Sequence, residues 1–144
     1  MSQLTTAEIE EFVRDWYKAL DVHVPMVNIL PMLADEGLEM QFPEATLHGH
    51  AEFEGWYQGV IRIFFDEVHK VKTVEVSQEG EDYNLKVVVE WHASVWNPPD
   101  AQSSRIILDA YQRWVVRSAP ETGKPVVVTY IVDKLDYHEG SAKL

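Results

Sequence analysis

Asp109 sits in the run Ile106, Ile107, Leu108, Asp109, Ala110, Tyr111, one carboxylate among apolar and aromatic neighbours. A carboxylate placed in such company must pair or stay protonated, and desolvation raises its pKa toward the range where a general acid or base works best. Proton transfer from a positioned side chain is worth roughly 10²–10⁴ in rate. His92, in VVVEWHASVW, is the second titratable candidate, because neutral imidazole shuttles protons near physiological pH. On a neighbouring strand it would lie across from Asp109. Strand alternation argues the other way: Ile106, Leu108, Ala110, Trp114 and Val116 share a face more apolar than the one carrying Asp109, Arg113 and Arg117. Likewise Leu85, Val87, Val89, Trp91, Ala93 and Val95 leave His92 with Lys86, Glu90 and Ser94. A bulge in a long bent strand would flip that parity, and a dimer covering the outer face would let both faces read as apolar.

A third cluster is HGHAEFE, with His48, His50 and Glu54 at a spacing whose ligand types suit Fe, Mn, Zn or Ni. The motif straddles a glycine turn and runs into a helical stripe instead of lying along barrel strands. Glu52 and Glu54 near a helix start are explained by the positive end of the helix dipole. No metal and no other cofactor is therefore expected. The chain has no cysteine, which excludes disulfides and thiolate ligands. It also lacks a GxSxG elbow, a phosphate-cradling glycine loop and a dinucleotide fingerprint.

The elements that must position these groups follow from periodicity. Thr5 and Glu8 stand at capping-box spacing before the stripe Ile9, Phe12, Val13, Trp16 and Leu20, which predicts a first helix. Pro25 opens a second, PMVNILPMLADEG, which Pro31 should break and Gly37 should stop. LEMQF and ATLHG read as short strands. From about His50 the period changes, and Phe53, Trp56, Val60, Ile63 and Phe64 mark a third helix in which Gly55 and Gly59 would allow close approach. VHKVKTVEVS, YNLKVVVEWHASVW, SRIILDAYQRWVVRS and PVVVTYIVDKLDY are β-branched and aromatic, separated by QEGED, NPPDAQ and APETGK, so they read as antiparallel strands joined by hairpins. Lys70 and Lys72 suit an exposed edge.

At 144 residues, 46% hydrophobic and 25% charged, the chain is expected to be one domain spanning residues 1–144. No apolar run approaches the roughly 20 residues of a membrane span, and the first residues, MSQLTTAEIEEF, lack the pattern of a signal peptide. A cytoplasmic location is expected. A net charge of -12 argues against nucleic acid and anionic membranes. The expected partners are small molecules or copies of the chain itself.

Helices first and long strands afterwards give an α+β layer with a strongly bent mixed or antiparallel sheet wrapped around three N-terminal helices. The order of FVRDWYKALD, LADEGLEMQFP, LHGHAEFEGW, DAYQRW and GKPVV, over about residues 8 to 138, resembles the SnoaL-like and ketosteroid-isomerase-like branch of the nuclear transport factor two-like, cystatin-like superfamily. The resemblance implies a cone-shaped fold with an apolar, aromatic pocket for a small hydrophobic molecule. It implies Trp16, Tyr17, Phe42, Trp56 and Tyr111 as candidates for the pocket wall. The isomerases' oxyanion-binding tyrosine falls at Trp16 and their base aspartate at Phe42, so steroid isomerisation of that kind is not expected. Their hydrogen-bonding aspartate, similar to the acid/base aspartate of SnoaL-like cyclases, falls at Asp109. The resemblance thus implies a cofactor-free cyclase, isomerase or dehydratase using Asp109 and His92, or else a non-catalytic ligand-binding or oligomerisation module, with a homodimer in either case.

Overall fold

The computed structural model describes residues 3–144. The first helix, α1 (Thr6–Asp21), starts as its sequence dictates. Glu8 N–H donates to Thr5 Oγ1 at 3.0 Å and Thr5 N–H donates to Glu8 Oε1 at 3.0 Å, a complete capping box. Its stripe of Ile9, Phe12, Val13, Trp16 and Leu20 is buried, joined by Tyr17 and Ala19. A single helical turn, α2 (Met26–Ile29), passes into a 3-10 turn at Leu30–Met32, where Pro31 interrupts it, and Gly37 adopts φ +76° beyond. Two short strands, β1 (Glu39–Gln41) and β2 (Thr46–His48), lead into α3 (Gly49–Ile63). Four long strands complete the chain: β3 (Phe64–Glu79), β4 (Asp82–Val95), β5 (Ser104–Ser118) and β6 (Pro125–Tyr137).

The strands form one open, six-stranded mixed sheet in the order β2-β1-β6-β5-β4-β3. β1 runs parallel to β6 and every other neighbour is antiparallel. The expected α+β class and the three hairpins among the long strands are present. The inner face, including Leu85, Val87, Val89, Leu108, Ala110, Trp114, Val116 and Tyr130, closes on the buried side of the helices. Trp114 is the hub of that contact, with Phe12 at 6.5 Å, Trp16 at 6.3 Å and Tyr130 at 5.0 Å between ring centroids. Such aromatic pairs add about 0.5–1.5 kcal/mol each beyond area burial. No helix among the described residues is long and apolar enough to cross a membrane.

β3 departs from its sequence reading, and the departure shapes the site. Phe64, expected on the third helix, is instead the first residue of the strand. No neighbour approaches Gly55 or Gly59 closely, contrary to the expectation, since a Cβ at either would meet nothing within 4 Å. Pairing runs Phe64↔Val95 and Phe65↔Ser94, then resumes at Val68↔His92, so Asp66 and Glu67 together face the single residue Ala93. Asp66 is the turning point of this bulge, at φ +51°. After it the parity of the strand is reversed, and Glu67 and His69 point to the inner face while Val68 points out. A second bulge at Lys72 separates the pairs Val71↔Val89 and Thr73↔Val88.

A left-handed backbone favours glycine and tolerates aspartate, but it strains a β-branched residue. Asp66→Gly should therefore hold stability within about 1 kcal/mol of the parent, and Asp66→Val should lower it by about 1–2 kcal/mol, read from urea unfolding midpoints.

Candidate active site

Between the inner face of the sheet, α1 and α3 lies a cavity of about 120 Å³. That is close to the size of an engineered apolar cavity known to hold benzene, so it suits about one small ring. Leu20, Val60, Phe64, Val89, Leu108, Val132 and Leu135 supply most of the wall. Phe42 and Trp56, both expected there, form one side as a stacked pair with centroids 4.1 Å apart and planes 15° from parallel. The polar groups that reach this apolar space are few: His69, Glu67, Gln112, Tyr130 and Glu44.

His69 is held from three directions. Its Nδ1 lies 2.5 Å from Asp21 Oδ1, and its backbone N–H donates to the other oxygen, Oδ2, at 3.0 Å. The two carboxylate oxygens of the last residue of α1 thus fix both the ring and the backbone of an edge strand. Tyr17 stacks on the imidazole at 4.8 Å and 20°, and Trp91, paired with His69 in the strand register, lies at 6.1 Å and 25°. The side chain is 10% exposed. With Nδ1 engaged, Nε2 is the ring nitrogen left for the cavity, and it has no hydrogen-bond partner among the described residues. This is the arrangement of an oriented base: a carboxylate sets the tautomer and would stabilise the imidazolium once a proton arrives.

Gln112, on β5 two strands from His69, provides a further polar group on the inner face. Tyr17 Oη donates to its Oε1 at 2.6 Å and Trp114 Nε1 donates to the same oxygen at 2.9 Å. Because an indole N–H can only donate, the oxygen assignment is fixed, and the amide NH2 remains beside the Tyr130 hydroxyl, which also lines the cavity. Burial pushes the Tyr17 phenol well above its ordinary pKa, with a further rise from Tyr130 beside it. Burial raises Tyr130 as well, partly offset by Trp16, Tyr17 and Gln112. Both phenols are therefore neutral hydrogen-bonding groups.

The other sequence candidates lie elsewhere. Trp16 is fully buried beneath the cavity among Phe53, Trp114 and Tyr130, and its Nε1 makes no hydrogen bond among the described residues. Tyr17 backs His69 instead of forming the wall. Tyr111 stands on the outer face, with Lys134 Nζ 5.4 Å from its ring centre. Asp109 and His92 are on that outer face too, since simple alternation holds along β4 and β5 and the bulges fall on β3 and β6. They do not face the cavity, and they do not meet each other directly. Lys72 Nζ donates to Asp109 Oδ2 at 2.8 Å and lies 3.5 Å from Glu90 Oε1, while His92 Nε2 is 2.5 Å from Glu90 Oε2 and His138 Nε2 is 2.9 Å from Asp109 Oδ1.

Burial acts to raise the Asp109 carboxyl, but Lys72 and His138 outweigh it and hold the group below its usual range, the reverse of the rise expected from its neighbours in sequence. Glu90, Asp109 and His138 could together hold a cation, although the Lys72 ammonium already occupies the space between the carboxylates. His48 is exposed, 3.5 Å from Glu39, and His50 Nε2 meets the Ala34 carbonyl at 3.0 Å, so the HGHAEFE histidines diverge.

A carboxylate whose pKa is depressed by folding contributes stability that is complete above its unfolded value near pH 4 and is lost as pH falls through the lower folded value. Asp109→Asn should accordingly be less stable than the parent at pH 7, with the gap closing on acidification toward pH 2 in urea denaturation.

Sequence reasoning passed over Asp21, His23, Glu67, His69 and Gln112. One signal was present, an aspartate in the last turn of α1, where the negative end of the dipole disfavours it.

No protein-family model matches the sequence, and no curated protein matches it. Solved structures do. A protein of unknown function with a cystatin-like fold from Nostoc punctiforme superposes with a TM-score of 0.71 at 16% identity, over 99% of this chain and 100% of its own. A hexachlorocyclohexane dehydrochlorinase, LinA type 2, matches with a TM-score of 0.75 at 10% identity, over 96% of this chain and 91% of its own. A structure from Novosphingobium aromaticivorans with the provisional name scytalone dehydratase matches with a TM-score of 0.66 at 14% identity, over 95% of this chain and 90% of its own. With three helices against an open six-stranded mixed sheet, the chain has the cystatin-like, nuclear transport factor two-like α+β cone fold that its sequence resembles.

Proposed function

We propose that this protein is a cofactor-free acid/base enzyme that removes a proton from carbon in a small, mostly apolar molecule, with His69 as base and Asp21 as its orienting partner. The observation that carries the reading is the Asp21–His69 pair, stacked between Tyr17 and Trp91 and presented to an apolar cavity. A substrate ring enclosed by Phe42, Trp56 and Val60 would place its acidic C–H at Nε2. The proton moves to Nε2, and the Asp21 carboxylate on Nδ1 stabilises the resulting imidazolium. Negative charge forms on the substrate, and the Gln112 amide and the Tyr130 hydroxyl beside it are the wall donors that would receive it, acting in a site from which apolar walls exclude bulk water. Two fold neighbours carry the names of eliminating enzymes, a dehydrochlorinase and a provisional dehydratase, which supports this class of chemistry and leaves the substrate open. Asp109 and His92, placed outside the cavity, take no part in this reading.

The reading includes a homodimer packed through the outer face of the sheet, where Phe65, Val68 and Tyr111 are exposed. Light scattering at micromolar concentration should show twice the chain mass.

The catalytic reading is tested with 5-nitrobenzisoxazole, a one-step Kemp elimination probe that needs only a base in an apolar pocket. The parent should accelerate ring opening over buffer. His69→Gln should lower kcat/KM about 100-fold or more and Asp21→Asn about 10-fold or more, with circular dichroism and unfolding midpoints showing that both variants remain folded. Equal rates for the parent and a folded His69→Gln variant would overturn the proposal.

A further inference from the structure

β3 brings to the same cavity a second carboxylate, Glu67, which is paired with a histidine, His23, just beyond the end of α1. Glu67 lies two residues before His69 on the inner face, a separation of about 6.6–7 Å along a strand. Its Oε2 is 2.5 Å from His23 Nε2, and its Oε1 accepts a hydrogen bond from Trp91 Nε1 at 3.1 Å. The Glu67 side chain is 2% exposed and that of His23 is 23% exposed, so the pair forms a path from the cavity to solvent. Burial, together with the neighbouring Glu67 charge, pushes the Tyr57 phenol up to about 12.

Two features show that this pair is not incidental. A carboxylate is costly to bury in an apolar wall, and His69 does not need it, because Asp21 already orients that ring. The backbone is also left-handed at both ends of the pair. Among the described residues, the non-glycine positions with positive φ are His23, at 52°, and Asp66, at 51°, one a member of the pair and the other immediately before Glu67. Aspartate and histidine both tolerate this conformation, which sets the direction of the chain beside each member of the pair.

We propose that Glu67 and His23 form the acid half of the site, donating a proton to a leaving hydroxyl while His69 takes the proton from carbon. The inference rests on the reading of His69 as base, and it names the substrate class as a small, neutral β-hydroxycarbonyl compound of about one ring. The C–H bond next to the carbonyl breaks, its proton passing to His69 Nε2 and its electron pair forming the C=C bond. The C–O bond at the next carbon breaks, and the oxygen takes a proton from the Glu67–His23 pair and departs as water. His69 then releases one proton and the His23 end gains one from bulk water, which restores both pairs. A carboxylate in the wall also disfavours anionic substrates of the same shape.

Two probes separate the halves. 3-Hydroxycyclohexanone needs both a base and an acid to give cyclohexenone, followed by its absorbance, whereas 5-nitrobenzisoxazole releases a stabilised phenoxide and needs the base alone. Glu67→Gln should reduce dehydration at least about 10-fold more than it reduces the Kemp elimination, and His69→Gln should abolish both. His23→Asn, in which asparagine tolerates the left-handed backbone, should reproduce the Glu67→Gln split and serves if that variant does not fold. Equal losses on the two probes in Glu67→Gln and His23→Asn, or no dehydration by a parent that performs the Kemp elimination, would overturn the acid role while leaving His69 as base. A His69→Gln variant that retains both activities would overturn the base itself.

Discussion

The Asp21 carboxylate is the tie on which the site depends. It ends α1 and bonds both the imidazole and the backbone N–H of His69, joining the first helix to the edge strand of the sheet. An acidic residue in the last turn of a helix faces the negative end of the dipole, an arrangement unfavourable by a few tenths of a kcal/mol or more. Its two bonds to His69 offset that cost. Local preference gives way here to a tertiary contact, as is common at functional sites.

Everything else that lines the cavity is arranged around the same tie. Tyr17, one turn before Asp21 on α1, stacks on the His69 ring and donates to Gln112, so one helix supplies the carboxylate, the ring support and the anchor of the Gln112 amide. Trp114 closes the other side of that amide and also joins the sheet to Phe12 and Trp16. The polar site is therefore built directly on the aromatic core, and packing holds it without long loops. The outer face is organised differently, by ion pairs in which His92 and Lys72 keep Glu90 charged and Lys72 and His138 keep Asp109 charged.

The fold was legible because its signals are local. The Thr5–Glu8 box, the stripe of α1 and the alternation of β4 and β5 each appear in the structure as the residue types demand. Alternation also put Asp109 and His92 on the polar face, and the bulges that could have reversed them fall on β3 and on β6 instead. The site was not legible for the complementary reason. Asp21 and His69 are 48 residues apart, and nothing in either neighbourhood announces the other. The inward aim of Glu67 and His69 depends on Asp66 adopting φ +51°, a conformation that aspartate tolerates but does not advertise. Phe64 was assigned to the helix because one more apolar residue fits a helical stripe as readily as the start of a strand.

Trp91 occupies a position with an optical consequence. Its indole ring lies against the His69 imidazole, and its N–H is bound to Glu67, so a single fluorophore touches both histidine–carboxylate pairs. An imidazolium quenches a stacked indole more strongly than a neutral ring does, and a change at Glu67 alters the polarity sensed by the indole nitrogen. The emission of this one residue therefore carries a record of where the protons are, and the cavity comes with its own reporter built into the wall.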